Sequence, residues 1–228
     1  MINTNKIYII FRGLLGLPLL IISSIAFASD PVNLSVAKKE LIQYHDSGNY
    51  YEEVSTVMKE AMYYLQFRVN QNNRIKHPQK LAMVFAIDET CLSNYADMVH
   101  LDFGGTYEEM NSLKAEGHDP AITSALALYN YAKNHGVSIF FITARPEYER
   151  SETIENLEMV GFSGWTKLFM EPDNYNNPSI IPFKVSERKK IIALGYDIIL
   201  NVGSQQSDLD EGYSDMAFKL PNPFYQVG

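Results

Sequence analysis

Four short segments of this 228-residue chain carry residue types that could act on an oxyanion. "MVFAIDET", residues 83–90, is an apolar run that breaks abruptly into Asp88, Glu89 and Thr90. A buried parallel strand delivering carboxylates to its C-terminal end reads this way, and a carboxylate placed there suits acid–base chemistry. "ITARPE", residues 142–147, puts Thr143, Ala144 and Arg145 where a strand should give way to a helix. A hydroxyl followed by backbone N–H groups at a helix start makes a phosphate cradle, and an arginine can add a bidentate contact to an oxyanion. Taken alone, the same segment reads equally as a capping threonine and a surface arginine. Lys184 would neutralise a phosphate or a carboxylate cluster if the fold carried it to the strand ends, and is otherwise a surface lysine. "GSQQSD", residues 203–208, ends in Asp208, a candidate metal-side carboxylate or simply a turn aspartate capping a helix.

These residues can cooperate only if strands and helices bring them to one place. Helical periodicity predicts helices over Asn33 to Tyr44 and Asn49 to Asn70. In the second, Val54, Val57, Met58, Ala61, Met62 and Leu65 form a stripe that reads as core packing. An apolar strand is expected from Leu81 to Ile87, and an irregular excursion over the strand ends from 91 to 118. Asp119-Pro120 has the cap-then-proline order of a helix start, and Gly136 ends that helix. A strand over Val137 to Ile142, a helix over Glu147 to Val160 and a strand near Leu168 to Met170 follow. A helix near Lys184 to Leu194, with Arg188, Lys189 and Lys190 solvated, then a strand over Asp197 to Val202 and a last one over Met216 to Leu220, complete the pattern. Apolar strands alternating with helices predict an α/β fold, a Rossmann-like parallel sheet covered on both faces. Ligands of such sheets bind beyond the carboxyl ends of the strands, where the candidate segments converge.

The first 28 residues differ in kind. Lys6 and Arg12 are their only charges, Leu14 to Phe27 is almost wholly apolar, and Ala26-Phe27-Ala28 ends in the small-residue pattern of a signal-peptide cleavage site. With Pro18 interrupting a short apolar run, cleavage after Ala28 and export are expected, with no stable membrane insertion afterwards and a periplasmic or secreted destination. Loss of the two charges would take the formal net charge from −8 to −10, which argues against nucleic-acid partners. Cys91 is the single cysteine, so no intramolecular disulfide can form, and the residue reads as a small buried hydrophobe.

The ordered segments "IDETCLSNY", "SALALYNYAKNHGVSIFFITARPEYERSETIENLEMVGFSGW", "KVSERKKIIALGYDIILNVGSQQSDL" and "FKLPNPFY" resemble the haloacid dehalogenase (HAD) superfamily. More narrowly they resemble its secreted acid phosphatase branch, which includes class B-like enzymes and plant vegetative storage proteins. The resemblance implies a HAD fold over residues 29–228, with a helical N-terminal part (29–80) and a cap-like excursion (91–118). In that family the first strand ends in D-x-D-x-T, the first aspartate attacking phosphorus and the second moving protons. The resemblance places the second at Asp88 and the threonine at Thr90, while the nucleophile position is Ala86. It assigns phosphate binding to Thr143, Ala144, Arg145 and Lys184. The family's metal motif, G-D-x-x-S-D, appears as Gly203-Ser204-Gln205-Gln206-Ser207-Asp208. Asp88 and Asp208 are thus the implied magnesium ligands, with Ser204 at a substituted position.

Alanine has no lone pair with which to attack phosphorus or bind magnesium, and a neutral serine is a poor ligand for a hard dication. The leading reading is therefore an exported acid phosphatase homologue, impaired or inactive, that keeps a site for a small phosphate monoester or phosphate-like anion. An active magnesium-dependent acid phosphomonoesterase is a second reading. A non-enzymatic storage or interaction protein, using the 91–118 surface, is the third.

Overall fold

A computed structural model describes residues 31–226, so the expected signal peptide at 1–28 lies outside the described residues. The unit beginning at Leu34 opens with helices α1 (Leu34–Asp46) and α2 (Asn49–Asn72), followed by strand β1 (Lys80–Phe85). Helices α3 (Tyr95–His100), α4 (Tyr107–Lys114) and α5 (Thr123–Asn134) lead to β2 (Ser138–Pro146). A 3₁₀ turn at Glu147–Glu149 precedes α6 (Arg150–Met159) and β3 (Lys167–Glu171). The chain continues through α7 (Ile181–Ala193), β4 (Tyr196–Gly203), α8 (Gln206–Leu209) and β5 (Met216–Lys219).

The strands form one parallel sheet in the order β3-β2-β1-β4-β5. The chain winds outward from β1 through β2 to β3, then crosses back to lay β4 on the other side of β1. That reversal opens a crevice at the carboxyl ends of β1 and β4. Alternate residues of each strand face different layers. Met83, Phe85, Ile139 and Phe141 join the larger core with Val54, Met58, Ala61 and Leu65 of α2 and Leu128 of α5. Ala82, Val84, Phe140 and Ile142 face the opposite core with Phe183 and Ile191 of α7. Burial of a side chain such as Phe85 contributes roughly 2–3 kcal/mol, so this two-sided packing fixes the strand register and with it the strand ends.

Three sequence expectations are corrected here. The 91–118 stretch is not irregular throughout: α3 and α4 lie within it. The Thr106 hydroxyl accepts from Glu109 N–H while the Glu109 carboxylate accepts from Thr106 N–H, a capping box that starts α4. The helix expected at Asp119-Pro120 begins at Thr123, because residues 120–122 first pair antiparallel with 91–93. Ser93 N–H donates to the Pro120 carbonyl at 3.0 Å and Ile122 N–H to the Cys91 carbonyl at 2.8 Å, while the Asp119 carboxylate is held by Arg145. Thr143 is not past a strand but inside β2, where the pairing with β3 is interrupted between Ile142 and Pro146. The α-helix follows only after the 3₁₀ turn, so no α-helix begins directly at this threonine.

Candidate functional site

A cleft of about 270 Å³ opens at the carboxyl ends of β1, β2 and β4. Ala86, Asp88, Thr143, Ala144, Arg145, Lys184 and Asp208 all line it. Ser204 lies just beneath, its Oγ donating to the Asp88 carbonyl at 3.0 Å. Segments far apart in sequence therefore converge as the strand-end rule predicts.

The side chains in the cleft are paired with one another. Asp88 Oδ1 accepts from Arg145 Nη2 at 2.8 Å, Arg145 Nε at 3.1 Å and Asn94 Nδ2 at 2.7 Å, and Lys114 Nζ stands 3.4 Å away. Burial alone would push the Asp88 carboxyl up. The charges of Arg145 and Lys114, with the hydrogen bonds, outweigh burial and hold it well below the ordinary carboxylate range. Arg145 is almost fully buried, and its Nη2 also reaches Asp119 Oδ2 at 3.1 Å. Asp119 is pushed up to about 6, by burial first and then by the neighbouring Asp88 charge, against the pull of Arg145. The arginine expected to await an oxyanion is thus already bound to two carboxylates of the chain itself.

On the β4 side, Lys184 Nζ donates to Asp208 Oδ1 at 2.6 Å and the Gln205 N–H donates to Asp208 Oδ2 at 2.8 Å. Gly203 lets this aspartate approach: a Cβ there would lie 2.3 Å from Asp208 Cβ. Arg188, expected to be solvated, is instead buried. It donates to the Asp208 carbonyl at 2.7 Å and to the Asp210 carbonyl. Thr143 Oγ1 accepts from the Arg145 N–H at 3.1 Å, and a hydroxyl that accepts retains its own proton to donate.

The donor set decides whether magnesium fits. The ion favours carboxylate oxygens in octahedral array. Here Ala86 offers none, Ser204 offers only a neutral hydroxyl oxygen, and Asp88 and Asp208 already hold cationic side chains. Among the described residues no group of three or more acidic, histidine or cysteine side chains is placed to hold a metal ion. The residues present do not fit the ion.

Sequence reasoning missed several residues. Lys114 and Asn111 reach the cleft from α4, and Tyr225 closes another wall. Glu89, at φ 47°, is fully buried away from the cleft; it accepts from the Asn94 N–H at 2.7 Å and from the Tyr225 hydroxyl. Burial first, then Asp88, pushes its carboxyl up to about 7. Cys91 is core, as expected, with its thiol pushed well up by burial. The one local signal for Lys114 was the T-x-x-E capping box that announces its helix.

The chain is similar in sequence and in fold to known proteins. Stem 28 kDa glycoprotein of Glycine max is 31% identical over 209 residues, covering 88% of this chain and 78% of its own. Acid phosphatase 1 of Solanum lycopersicum is 34% identical over 148 residues, covering 63% of this chain and 58% of its own. The class C acid phosphatase structure from Bacillus anthracis shares the fold at a TM-score of 0.65 and 19% identity, over 84% of this chain and 86% of that one. No helix among the described residues is long and apolar enough to cross a membrane. With its parallel five-stranded sheet, and with residues 21–228 matching the family model, the chain belongs to the HAD superfamily, subfamily IIIB (acid phosphatase).

Proposed function

We propose that this protein is an exported acid phosphatase homologue that binds a small phosphate-type anion and has lost efficient phosphoryl transfer. The observation that carries the reading is Ala86, a methyl group at the head of a cleft otherwise lined by Asp88, Thr143, Arg145, Lys184 and Asp208. A methyl cannot form the covalent phosphoryl intermediate, and removal of a nucleophile costs on the order of 10⁶ in turnover. Asp88 adds support. A carboxyl held ionised by Arg145 and Lys114 is a poor proton donor to a leaving group. In this reading residues 1–28 direct export, 29–80 form the helical N-terminal part, and 91–118 cover the cleft as a cap.

The anion would meet the Thr143 hydroxyl, backbone N–H groups near Ala144, and the ammonium groups at the cleft wall. Purified protein offered an aryl phosphate with magnesium at mildly acidic pH should show no turnover above background. Inorganic phosphate should nevertheless raise its melting temperature. Ordinary enzymatic turnover, abolished by Asp88→Asn, would overturn the proposal.

A further inference from the structure

We infer that the cleft is closed to divalent cations by its own side chains, and that Lys114 of α4 is the positive charge that meets an entering tetrahedral oxyanion in their place. The anion half rests on the functional reading above; the metal half stands without it.

The metal half follows from where the donors already go. Three kinds of oxygen could have faced an ion at the ends of β1 and β4: the Asp88 carbonyl, the Ser204 hydroxyl and the Asp208 carboxylate. The Asp88 carbonyl accepts from Ser204 Oγ at 3.0 Å and from Thr90 Oγ1 at 3.3 Å, which engages both its lone pairs. The serine offers only a neutral oxygen that itself accepts from Asn222 Nδ2 at 3.5 Å. Asp208 gives Oδ1 to Lys184 Nζ at 2.6 Å and Oδ2 to the Gln205 N–H at 2.8 Å. A further ammonium stands behind the serine, Lys219 Nζ donating to the Ser204 carbonyl at 2.6 Å and to the Leu220 carbonyl at 2.8 Å. A dication entering here would have to break these bonds and stand beside two fixed ammonium groups. Like charges so close, in a partly dry site, oppose entry strongly.

The anion half follows from comparing the cations. Arg145 has a side chain 2% exposed and is held by two carboxylates; Lys184 is 4% exposed and held at 2.6 Å. Lys114 is 14% exposed, its Nζ is 3.4 Å from Asp88 Oδ1, and it lines the same cleft. That separation is outside good hydrogen-bond range, so this lysine gives up least when it turns to a ligand. It sits in the last turn of α4, on a flexible stem that can follow the anion. Asp88 keeps Arg145 and Asn94 when Lys114 moves.

The test has two arms, both on EDTA-treated protein followed by calorimetry and melting temperature. Magnesium titrated alone should give no saturable binding up to about 10 mM, whereas the Ala86→Asp/Ser204→Asp double variant should bind it. Saturable binding of magnesium by the unaltered protein overturns the metal half, whatever phosphate does. Inorganic phosphate should bind equally with EDTA or magnesium present, and Lys114→Ala should weaken it about tenfold or more, with Lys114→Arg largely restoring it. Circular dichroism should show both Lys114 variants folded. Affinity that depends on magnesium, or that survives Lys114→Ala, overturns the proposal. Absence of phosphate binding under every condition removes the functional reading and the anion half with it, leaving the magnesium arm to decide the rest.

Discussion

The Arg145 guanidinium and the Asp88 carboxylate form a buried ion pair, Nη2 to Oδ1 at 2.8 Å, that ties the end of β2 to the turn after β1. A carboxyl that serves as a general acid must carry a proton to give. The pairing holds this one ionised.

Asp88→Asn should therefore cost stability. It leaves Arg145 buried with Asp119 as its remaining carboxylate partner, and breaking a buried pair from one side costs about 3 kcal/mol. The folded value of Asp88 lies below its unfolded one, so the pair's contribution is complete above the unfolded value and lost as pH falls through the folded one. In urea melts, the gap between wild type and variant should be widest near neutrality and begin to narrow only below about pH 4. A variant as stable as wild type at pH 7 would contradict the role assigned to the pair.

Glu89 should act in the opposite sense. Its folded carboxyl is pushed up to about 7, above the unfolded value, so the native state holds a proton that the unfolded chain releases. That contribution is complete below the unfolded value, about 4.3, and disappears as pH rises to about 7. Glu89→Gln should flatten this decline and make the protein more stable at pH 7.5, by as much as about 3 kcal/mol. Urea midpoints of the two proteins at pH 5 and pH 7.5 provide the check. Equal pH slopes would count against it.

Restoring both acids, Ala86→Asp with Ser204→Asp, should create magnesium-dependent phosphatase activity at least about 100-fold above the parent chain, since nucleophile and metal ligand act as a unit. Ala86→Asp alone should stay near background, because its carboxylate would have no metal beside it. Steady-state hydrolysis of an aryl phosphate decides the matter. A folded double variant that remains inert would show that Arg145 and Lys184 block the site in their present positions.

Gly203→Ala should disturb the β4 side more than its size suggests. The new methyl would meet Asp208 Cβ at 2.3 Å, and the collision is with the base of the side chain, not a flexible tip. Overpacking of this kind costs about 1–3 kcal/mol, and relief by moving Asp208 would lengthen its 2.6 Å contact with Lys184. A melting temperature within a degree of wild type would show that the strand end yields more easily than its packing implies.

The fold was legible where burial is two-sided. "LAMVFAI" and "VSIFFI" could scarcely be anything but parallel strands, and the α2 stripe packs as its spacing announced. Asp119 misled because an aspartate before a proline carries a strong local helix signal, while its partner Arg145 is distant in sequence. Arg188 misled because a basic run reads as solvated until the carbonyls it caps, those of Asp208 and Asp210, are placed in space. Lys114 carries no catalytic pattern of its own; only the packing of α4 over the strand ends turns it toward the cleft. The positions of Ala86 and Ser204 could be read from motif spacing. That Ser204 would turn its hydroxyl onto the Asp88 carbonyl could not, since no local rule sets that rotamer.

Tyr225 also bears on the order in which the protein is made. The hydroxyl that satisfies Glu89 lies 136 residues farther along the chain. During synthesis, β1 and its turn emerge long before this donor exists. A wall of the cleft therefore depends on one of the longest-range contacts in the fold, and such contacts close slowly. Until then Glu89 must stay hydrated or protonated, and a chain halted short of Tyr225 would lack this wall of the cleft.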